Sequence, residues 1–439
     1  MEFSQLPNTG RRFYTTWRFM RDPYRCYRQW REQYGDTFIV NALNGNVVAT
    51  CNRENIRRLF AARTESIAQF AVETIKPLVG ANSIFLVEGE THRRERAISS
   101  PSFHGSGLEG KINEIRDVAL RESDKWKPGD TIIIMDSALD VSLEVIIRVV
   151  FGVQSQERVE LFKEQIKKFV SAFKPILGFT RIFHRSWLGL SPWNKFCRER
   201  ESFYQMIDEE IDLRIKSGEQ RTDLLSSLLH NKYDDGQAVS RERIRDQLVT
   251  MLMAGHETTQ IAIAWAMSWL HRDTEILERL RVELAAEDTI DTVLKSDLLE
   301  GICNESLRLN PILADIVRVV KSDFELEEVT LPPDTPVSVG ICEVHSDPEL
   351  YPNPERFDPD RWINAKFKGH EYLPFGGGIR RCIGAPLAIL EMKIVVATWI
   401  KHCRFQLPTD APDVEPVYRR NLTMAPKTGI PLTLVEKLD

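Results

Sequence analysis

The sequence of 439 residues predicts a mainly α-helical protein with a minor β portion, built around one long central helix. Three observations predict this fold class. Long stretches carry apolar residues at helical spacing, short alternating segments are confined to three places, and no Ser/Gly linker or internal repeat divides the chain. We therefore expect a single domain over residues 1–439, although length alone would favour about three.

The elements are predicted in chain order as follows. A hairpin is expected over Thr37–Cys51, because an alternating pattern breaks there at Asn44-Gly45. Helices are predicted over Lys111–Trp126, Ser137–Val150, Ser155–Ala172, Trp193–Lys216, Thr222–His230, Ser240 to about Trp269, Thr274 to about Ala286, Glu300–Leu309 and Pro386–His402. The β-rich parts are expected at about residues 36–52, 312–342 and 404–438.

Composition argues against several classes of protein. The net charge of −6 disfavours nucleic acid as the main partner. The seven cysteines include no CxxC pair, which fits neither a disulfide framework nor a zinc site and indicates a reducing compartment. No run of about 18 apolar residues occurs, so we expect a cytoplasmic protein without a membrane anchor.

The most informative segment is Pro374–Gly384, a glycine-rich loop that ends at Cys382 just before a long apolar helix. Its three central glycines allow a sharp turn close to a flat ligand. Gly384 and the start of the helix provide N–H groups that stabilise a thiolate. Arg380 offers a planar fork for a carboxylate, and Phe375 shields the sulfur. A thiolate here can hold a haem iron from one side, whereas the alternative is a buried free cysteine.

This segment resembles the signature of the cytochrome P-450 family of haem-thiolate monooxygenases, Phe-x-x-Gly-x-Arg-x-Cys-x-Gly. The fixed places are filled by Phe375, Gly378, Arg380, Cys382 and Gly384. The resemblance covers the chain from about residue 30 to its end. It implies a cytochrome P-450-type fold of the soluble bacterial kind, with haem b whose iron is ligated by Cys382.

A second motif lies in the middle of the long helix, at Ala254–Thr259. An acid beside two threonines is locally unfavourable there, which suggests a functional role. The resemblance implies that Thr258 donates a hydrogen bond where oxygen binds, that Glu257 feeds protons inward, and that Gly255 leaves room for oxygen. The alternative is a kinked core helix with a solvated glutamate.

A third motif is Glu305-x-x-Arg308, whose spacing of three places both charges on one helical face. The resemblance implies that Glu305 and Arg308 form a buried triad with Arg356, and that this triad fixes the cysteine loop.

A fourth pattern concerns the haem propionates. His92 and Arg96 are four residues apart, hence on one face of a helix. The resemblance implies that they hold propionates together with Arg318 and Arg380, while a solvated basic patch is the alternative. His345 is expected to be structural.

The resemblance also implies a substrate pocket. Its predicted residues are Phe85, Ala254, Leu313, Ile316 and Met424. A mostly apolar pocket suits a lipophilic molecule, such as a terpenoid or a fatty-acid-like chain. The aromatic and basic segment Lys174–Pro192 is either a lid over the entrance or a membrane contact, and we prefer the lid.

Electrons have to come from outside, because no dinucleotide fingerprint follows a strand in a βαβ unit. We expect an external ferredoxin or flavodoxin with its reductase, docking on a basic patch. That patch is predicted to comprise Arg93, Arg94, Arg381 and Lys393. The predicted protein is a monomer that uses O₂ to hydroxylate or epoxidise its substrate. The alternatives are a non-catalytic haem-thiolate sensor or ligand-binding protein and, more remotely, a hydrolase with Cys382 as nucleophile.

Overall fold

A computed structural model describes residues 3–438 except for residues 71, 174–190 and 287–288. The chain forms two compact units. One comprises Met1–Phe70, Ala119–Ala138 and Thr258–Asp439, and the other comprises Ala71–Val118 and Leu139–Glu257. The predicted lid, Lys174–Pro192, lies outside the described residues except for its last two positions. The single-domain organisation stays a prediction.

Helices form most of the described chain, as predicted. In chain order they are α1 (Arg12–Arg21), α2 (Pro23–Tyr34), α3 (Arg53–Ala61), α4 (Val72–Val79), α5 (Gly89–Ser99), α6 (Ser106–Glu109), α7 (Ile112–Asp124), α8 (Ile134–Ile146), α9 (Gln156–Ala172), α10 (Pro192–Ser217), α11 (Leu224–His230), α12 (Arg241–Arg272), α13 (Thr274–Ala286), α14 (Ile290–Lys295), α15 (Asp297–Leu309), α16 (Ile341–His345), α17 (Arg361–Asn364) and α18 (Ala385–His402).

Local chemistry explains where several helices begin. Ser155, Ser191 and Asp223 precede α9, α10 and α11, and the side chain of each accepts a hydrogen bond from a backbone N–H of the first turn. The predicted long central helix is α12, with 32 residues. A π-helical turn, Ile147–Phe151, extends α8 and ends at Gly152. The φ of this residue is +69°, which favours glycine, and a Cβ there would lie 2.3 Å from Asp223 Oδ2.

All strands of the described residues belong to the first unit. In chain order they are β1 (Thr37–Ala42), β2 (Gly45–Thr50), β3 (Ile67–Gln69), β4 (Thr131–Ile133), β5 (Asp315–Val320), β6 (Phe324–Glu325), β7 (Thr330–Leu331), β8 (Pro336–Gly340), β9 (Cys403–Gln406), β10 (Val417–Arg420), β11 (Thr423–Pro426) and β12 (Pro431–Lys437). The largest sheet has the order β1-β2-β8-β5-β3 and is antiparallel except for β2 with β8. The β1–β2 turn is Leu43-Asn44, one residue earlier than predicted, because Ala42 pairs with Gly45.

The apolar helix α18 is held deep in the first unit. Trp399 is fully buried, and its indole Nε1 donates a hydrogen bond to the carbonyl oxygen of Ala119 at 3.1 Å. Trp126 packs edge-on against Trp399 with ring centroids 5.2 Å apart. A rigidly packed helix fixes its own N-terminus, which is where the cysteine loop ends.

Candidate active site

The loop before α18 is closed by its own backbone. The N–H of Cys382 donates to the carbonyl oxygen of Phe375 at 2.8 Å, and the N–H of Gly376 donates to Leu373 at 2.9 Å. Gly376 and Gly378 have φ angles of +65° and +64°. These left-handed conformations favour glycine, so the motif sets the path of the loop as predicted.

Two of the glycines are also required by a neighbour that the sequence did not reveal. A Cβ on Gly377 would lie 2.1 Å from the ring of Phe60, and one on Gly378 would lie 2.2 Å from the carbonyl oxygen of Phe60. The structure thus gives these glycines a packing role against α3, and their close approach to a flat ligand stays a prediction. No signal in the sequence connects Phe60 to this loop.

Cys382 differs from the other six cysteines because its side chain is exposed. Burial raises the pKa of Cys403 to about 11 and that of Cys303 to about 12, so these groups remain thiols. Cys382 instead lies two residues before Gly384, the N-cap of the 18-residue helix α18. A Cβ on Gly384 would lie 4.0 Å from the Cys382 sulfur, and the helix N-terminus favours negative charge there.

Two predicted propionate ligands lie near each other in the first unit. Burial first, and then the positive charge of Arg380, lower the pKa of Arg318 to about 10. The Arg318 guanidinium donates to its own strand, at the Val317 carbonyl, and at 3.4 Å to Gln69. Two neighbouring guanidinium groups favour an anion between them. This charge arrangement and the exposed thiol fit a haem with carboxylate arms.

Glu305 is the centre of a buried ionic cluster. Its side chain is fully buried, and Arg308 donates to both carboxylate oxygens at 2.8 and 2.9 Å. Further donors are Arg361 Nε at 3.0 Å, Trp362 Nε1 at 2.9 Å and the N–H of Asp358 at 3.1 Å. Five hydrogen bonds satisfy the buried carboxylate, which is the condition for burying a charge.

The predicted third member of this cluster was wrong. Arg356 has an exposed side chain and contributes its backbone carbonyl, which accepts from Arg308 Nη2 at 3.4 Å. Arg361, five residues later at the start of α17, provides the second guanidinium at Glu305. The irregular segment between them turns Arg356 outward, and spacing along the sequence does not show that turn.

His345 joins the ionic cluster to the cysteine loop, which confirms a structural role. Its Nδ1–H donates to the Arg308 carbonyl oxygen at 3.1 Å, while its Nε2 accepts from the N–H of Leu373 at 2.8 Å. The ring also stacks on Tyr372, with centroids 5.6 Å apart. Leu373 directly precedes the cysteine loop, so the imidazole links α15 to the start of that loop through two hydrogen bonds.

The protonation of His345 predicts a pH dependence of stability. Burial, and then the Arg308 charge, lower its pKa to about 3, whereas an unfolded histidine titrates near 6.5. Below about pH 6.5 the unfolded chain binds the proton first, so stability falls as pH falls toward 3. At pH 5 the expected loss is about 2 kcal/mol from this residue. Urea unfolding at pH 7 and pH 5 measures it.

His345→Gln keeps one donor and one acceptor but cannot take up a proton near neutral pH. We expect this variant to lose less stability than the parent between pH 7 and pH 5. Equal losses in the two proteins would contradict the assignment.

The acid–threonine pair lies on α12, with Glu257 and Thr258 both half-buried. A Cβ on Gly255 would lie 2.7 Å from Ile146 Cδ1, so close packing against α8 accounts for this glycine. His256 donates from Nδ1 to the Leu252 carbonyl oxygen at 2.7 Å, within its own helix. The proton role of the pair stays a prediction.

The second unit holds the remaining predicted cofactor ligands. His92 is buried and Arg96 is half-buried on α5, as one face of the helix requires. Their contact with propionates stays a prediction. On the same helix, the buried Glu95 accepts hydrogen bonds from Tyr233 and from Arg243, each at 2.6 Å. These bonds anchor α5, and this acid was not identified from the sequence.

A second missed group fixes the segment that carries Phe85. Asp246 accepts two hydrogen bonds from Asn82, one from the backbone and one from the side chain, both at 2.9 Å. Gln247 donates to the Asn82 carbonyl at 2.9 Å and accepts from the N–H of Ile84 at 3.2 Å. Helix α12 therefore holds this loop through paired amide and carboxylate groups.

The predicted pocket residues have different exposures. Phe85 and Leu313 are exposed, Ala254 is half-buried, and Ile316 and Met424 are buried. In the first unit, the N–H of Met424 donates to the Ile312 carbonyl at 2.8 Å. A Cβ on Gly376 would lie 3.6 Å from Ile316 Cδ1, so Ile316 reaches the cysteine loop. A shared pocket of all five stays a prediction.

The predicted basic patch needs a correction. Lys393 is only 4% exposed, and its Nζ donates to the Leu294 carbonyl at 2.7 Å and to Glu300 at 3.2 Å. It faces inward from α18 and cannot belong to a docking surface. Arg93 and Arg381 are exposed. Arg93 pairs with Glu90 at 2.8 Å within α5, and Arg94 pairs with Asp235 at 2.9 Å.

Within the described ranges, no group of three or more His, Cys, Asp or Glu side chains could hold a bare metal ion. Among the helices that the structure describes, none is long and apolar enough to span a membrane.

Comparison with known proteins gave consistent matches. The family model "Cytochrome P-450" matches residues 12–432. Cytochrome P-450 138 of Mycobacterium tuberculosis is 31% identical over 401 residues, covering 90% of this chain and 88% of the relative. Cytochrome P-450 135B1 of the same species is 28% identical, covering 93% and 87%. The retinoic-acid-bound cyanobacterial CYP120A1 superposes with a TM-score of 0.85 at 24% identity, covering 98% and 99%.

Proposed function

Since this chain belongs to the cytochrome P-450 family of haem-thiolate monooxygenases, we propose that it hydroxylates or epoxidises a lipophilic small molecule. The substrate class is a terpenoid or a fatty-acid-like chain, and a ferredoxin or flavodoxin with its reductase supplies the electrons. The observation that carries the proposal is the exposed Cys382 thiol at the N-terminus of α18, in a loop that backbone bonds and Phe60 hold in place.

Haem b, the prosthetic group of the family, supplies the activation of O₂ when bound. Cys382 would ligate its iron, and the N-terminus of α18 would stabilise the thiolate. Arg318 and Arg380 would hold one carboxylate arm. Their two positive charges lie close enough in the first unit to repel each other, and an anion between them would relieve that repulsion. In the proposal, His92 and Arg96 hold the other arm.

The proposed proton path uses the two half-buried polar groups of α12. Thr258 carries a hydroxyl that can both donate and accept, so it can hold a proton where oxygen is reduced. Glu257, one residue earlier, exchanges protons with solvent. Delivery of protons at the right moment directs electrons into product rather than into released peroxide.

The apolar residues support a lipophilic substrate. Phe85, Leu313, Ile316 and Met424 contribute no charge, and Ala254 leaves space on α12. A largely apolar surface excludes water and binds hydrocarbon by burial of area. Polar substrates would leave unpaired groups against such side chains, and that costs affinity.

Thr258→Ala tests the proposal. The purified holoprotein is first titrated with a library of small lipophiles, and a change in spin state identifies a ligand. With that ligand, and with a ferredoxin or a flavodoxin as electron donor, we expect the variant to consume reductant but lose about 10²-fold in product per electron. Product and peroxide are measured together.

Thr258→Ser retains a hydroxyl and is expected to restore most of the coupling. If Thr258→Ala forms product as efficiently as the parent, the proton role fails. If lipophiles change the spin state but no product forms with either donor, the protein fits the non-catalytic ligand-binding alternative instead.

A further inference from the structure

Helix α1 presents an aromatic face to solvent. Phe13 is 73% exposed and Trp17 is 51% exposed, and Tyr14 and Met20 are exposed beside them. Phe13, Trp17 and Met20 are spaced four and three residues apart, so they form one stripe along the helix. Large apolar side chains grouped on a surface mark an interaction site, whereas isolated ones do not.

The opposite face of α1 is packed into the first unit. Thr15 is buried and donates to the Thr9 carbonyl, and Phe19 stacks on Trp30 with centroids 6.1 Å apart. Phe19 also contacts Tyr27 edge-on at 5.7 Å. The helix is therefore fixed to the core on one side, and its aromatic stripe is held outward by that packing.

Arginines flank the stripe. Residues 11–21 contain four arginines and no acidic residue, a net charge of +4 in a chain whose net charge is −6. Arg18 lies over the Tyr14 ring at 5.5 Å, and Arg21 lies over the Trp17 ring at 5.7 Å. Arg11, like Arg21, is exposed. The cations thus border the aromatic rings on the helix surface.

Two hairpin tips next to α1 add exposed leucines. Leu43, in the β1–β2 turn, is exposed, and its N–H donates to Thr16 Oγ1 at 2.9 Å. Leu422, in the β10–β11 turn, is also exposed, and Arg419 of that hairpin donates to the Phe19 carbonyl at 3.5 Å. Both hairpins are tied to α1 by these bonds.

We propose that α1 binds reversibly to an anionic lipid surface. Aromatic and apolar side chains on one helix face, bordered by arginines, are typical of helices that lie in the plane of a bilayer. The rings enter the headgroup boundary while the guanidinium groups meet anionic phosphates. The positive charge of residues 11–21 fits such a surface, and the overall negative charge of the chain does not.

The test measures co-sedimentation of the full-length holoprotein with vesicles. Vesicles of phosphatidylcholine with about one-third phosphatidylglycerol are compared with pure phosphatidylcholine. We expect binding to the anionic vesicles that weakens with salt. Phe13→Ser/Trp17→Ser is expected to weaken it at least about 30-fold. Arg11→Gln/Arg21→Gln is expected to weaken it by about fivefold for each arginine removed.

The matched control is Val282→Ser/Val414→Ser, which removes two exposed apolar side chains far from α1 in sequence. It is expected to bind vesicles like the parent and to retain the same haem spectrum. Equal binding by Phe13→Ser/Trp17→Ser would overturn the proposal, as would no binding to anionic vesicles. If sedimentation velocity shows that the parent is a dimer and that Phe13→Ser/Trp17→Ser is a monomer, the aromatic face binds a second copy of the chain instead.

Discussion

Replacing Cys382 by Ser is expected to abolish the strongly red-shifted Soret band of the reduced, carbon-monoxide-bound protein. Serine keeps the size of the side chain, but its hydroxyl does not become a strongly donating anion at neutral pH. Monooxygenase turnover should fall by at least about a hundredfold, because even partners of a metal ligand alter activity by 10- to 100-fold. Absorption spectra after dithionite and carbon monoxide measure the first effect.

The matched control is Cys197→Ser on α10. Cys197 is half-buried and is the least buried of the other six cysteines, and burial raises the pKa of its thiol. We expect this variant to retain the red-shifted band. A parent-like band in Cys382→Ser, or loss of the band in Cys197→Ser, would show that another sulfur ligates the iron. Either result would contradict the assignment of Cys382 as the ligand.

Local patterns predicted the parts of the site whose chemistry is local. The glycines at 376 and 378 predicted the turn of the cysteine loop, because both positions have positive φ angles that favour glycine. Gly384 likewise marked the start of the helix. The Glu305–Arg308 pair follows from a spacing of three on α15. Each of these features depends on residues within one turn or one loop, so the sequence contains the information.

Contacts between distant segments were not predictable in this way. Phe60 contacts Gly377 and Gly378 from more than 300 positions away, and nothing in either segment indicates the other. Lys393 faces inward because Glu300 and a carbonyl of α14 receive its charge, whereas its own helix would allow either orientation. The path of the chain in three dimensions decides both cases.

The arginine at Glu305 is a sharper case, because two candidates lie in one irregular segment. Arg361 is 8% exposed in its side chain and donates to Glu305 at 3.0 Å, and it also lies 6.0 Å from the Tyr351 ring centroid. Arg356 is exposed, and its charge lowers the pKa of Asp360 less than Arg279 does. The two residues therefore differ in burial and in the acid that each charge acts on, which is Glu305 for Arg361 and Asp360 for Arg356.

Arg361→Gln is expected to destabilise the protein by about 3 kcal/mol or more. Breaking a buried ion pair by removing one partner typically costs 3–5 kcal/mol, because the remaining charge is left partly uncompensated. Glu305 then keeps Arg308 and Trp362 as donors, so unfolding is not complete at neutral pH. Since His345 connects this cluster to Leu373, the haem should also be lost at a lower urea concentration.

The control, Arg356→Gln, removes a guanidinium of the same chemistry five residues away. It should alter stability by no more than about 0.5 kcal/mol, as expected for an exposed side chain without a buried partner. Urea unfolding followed by far-UV circular dichroism, and loss of the Soret band on the same samples, separate the two effects. If Arg356→Gln proved the more damaging variant, Arg356 would be the third member of the triad and the path of the segment that precedes α17 would be wrong.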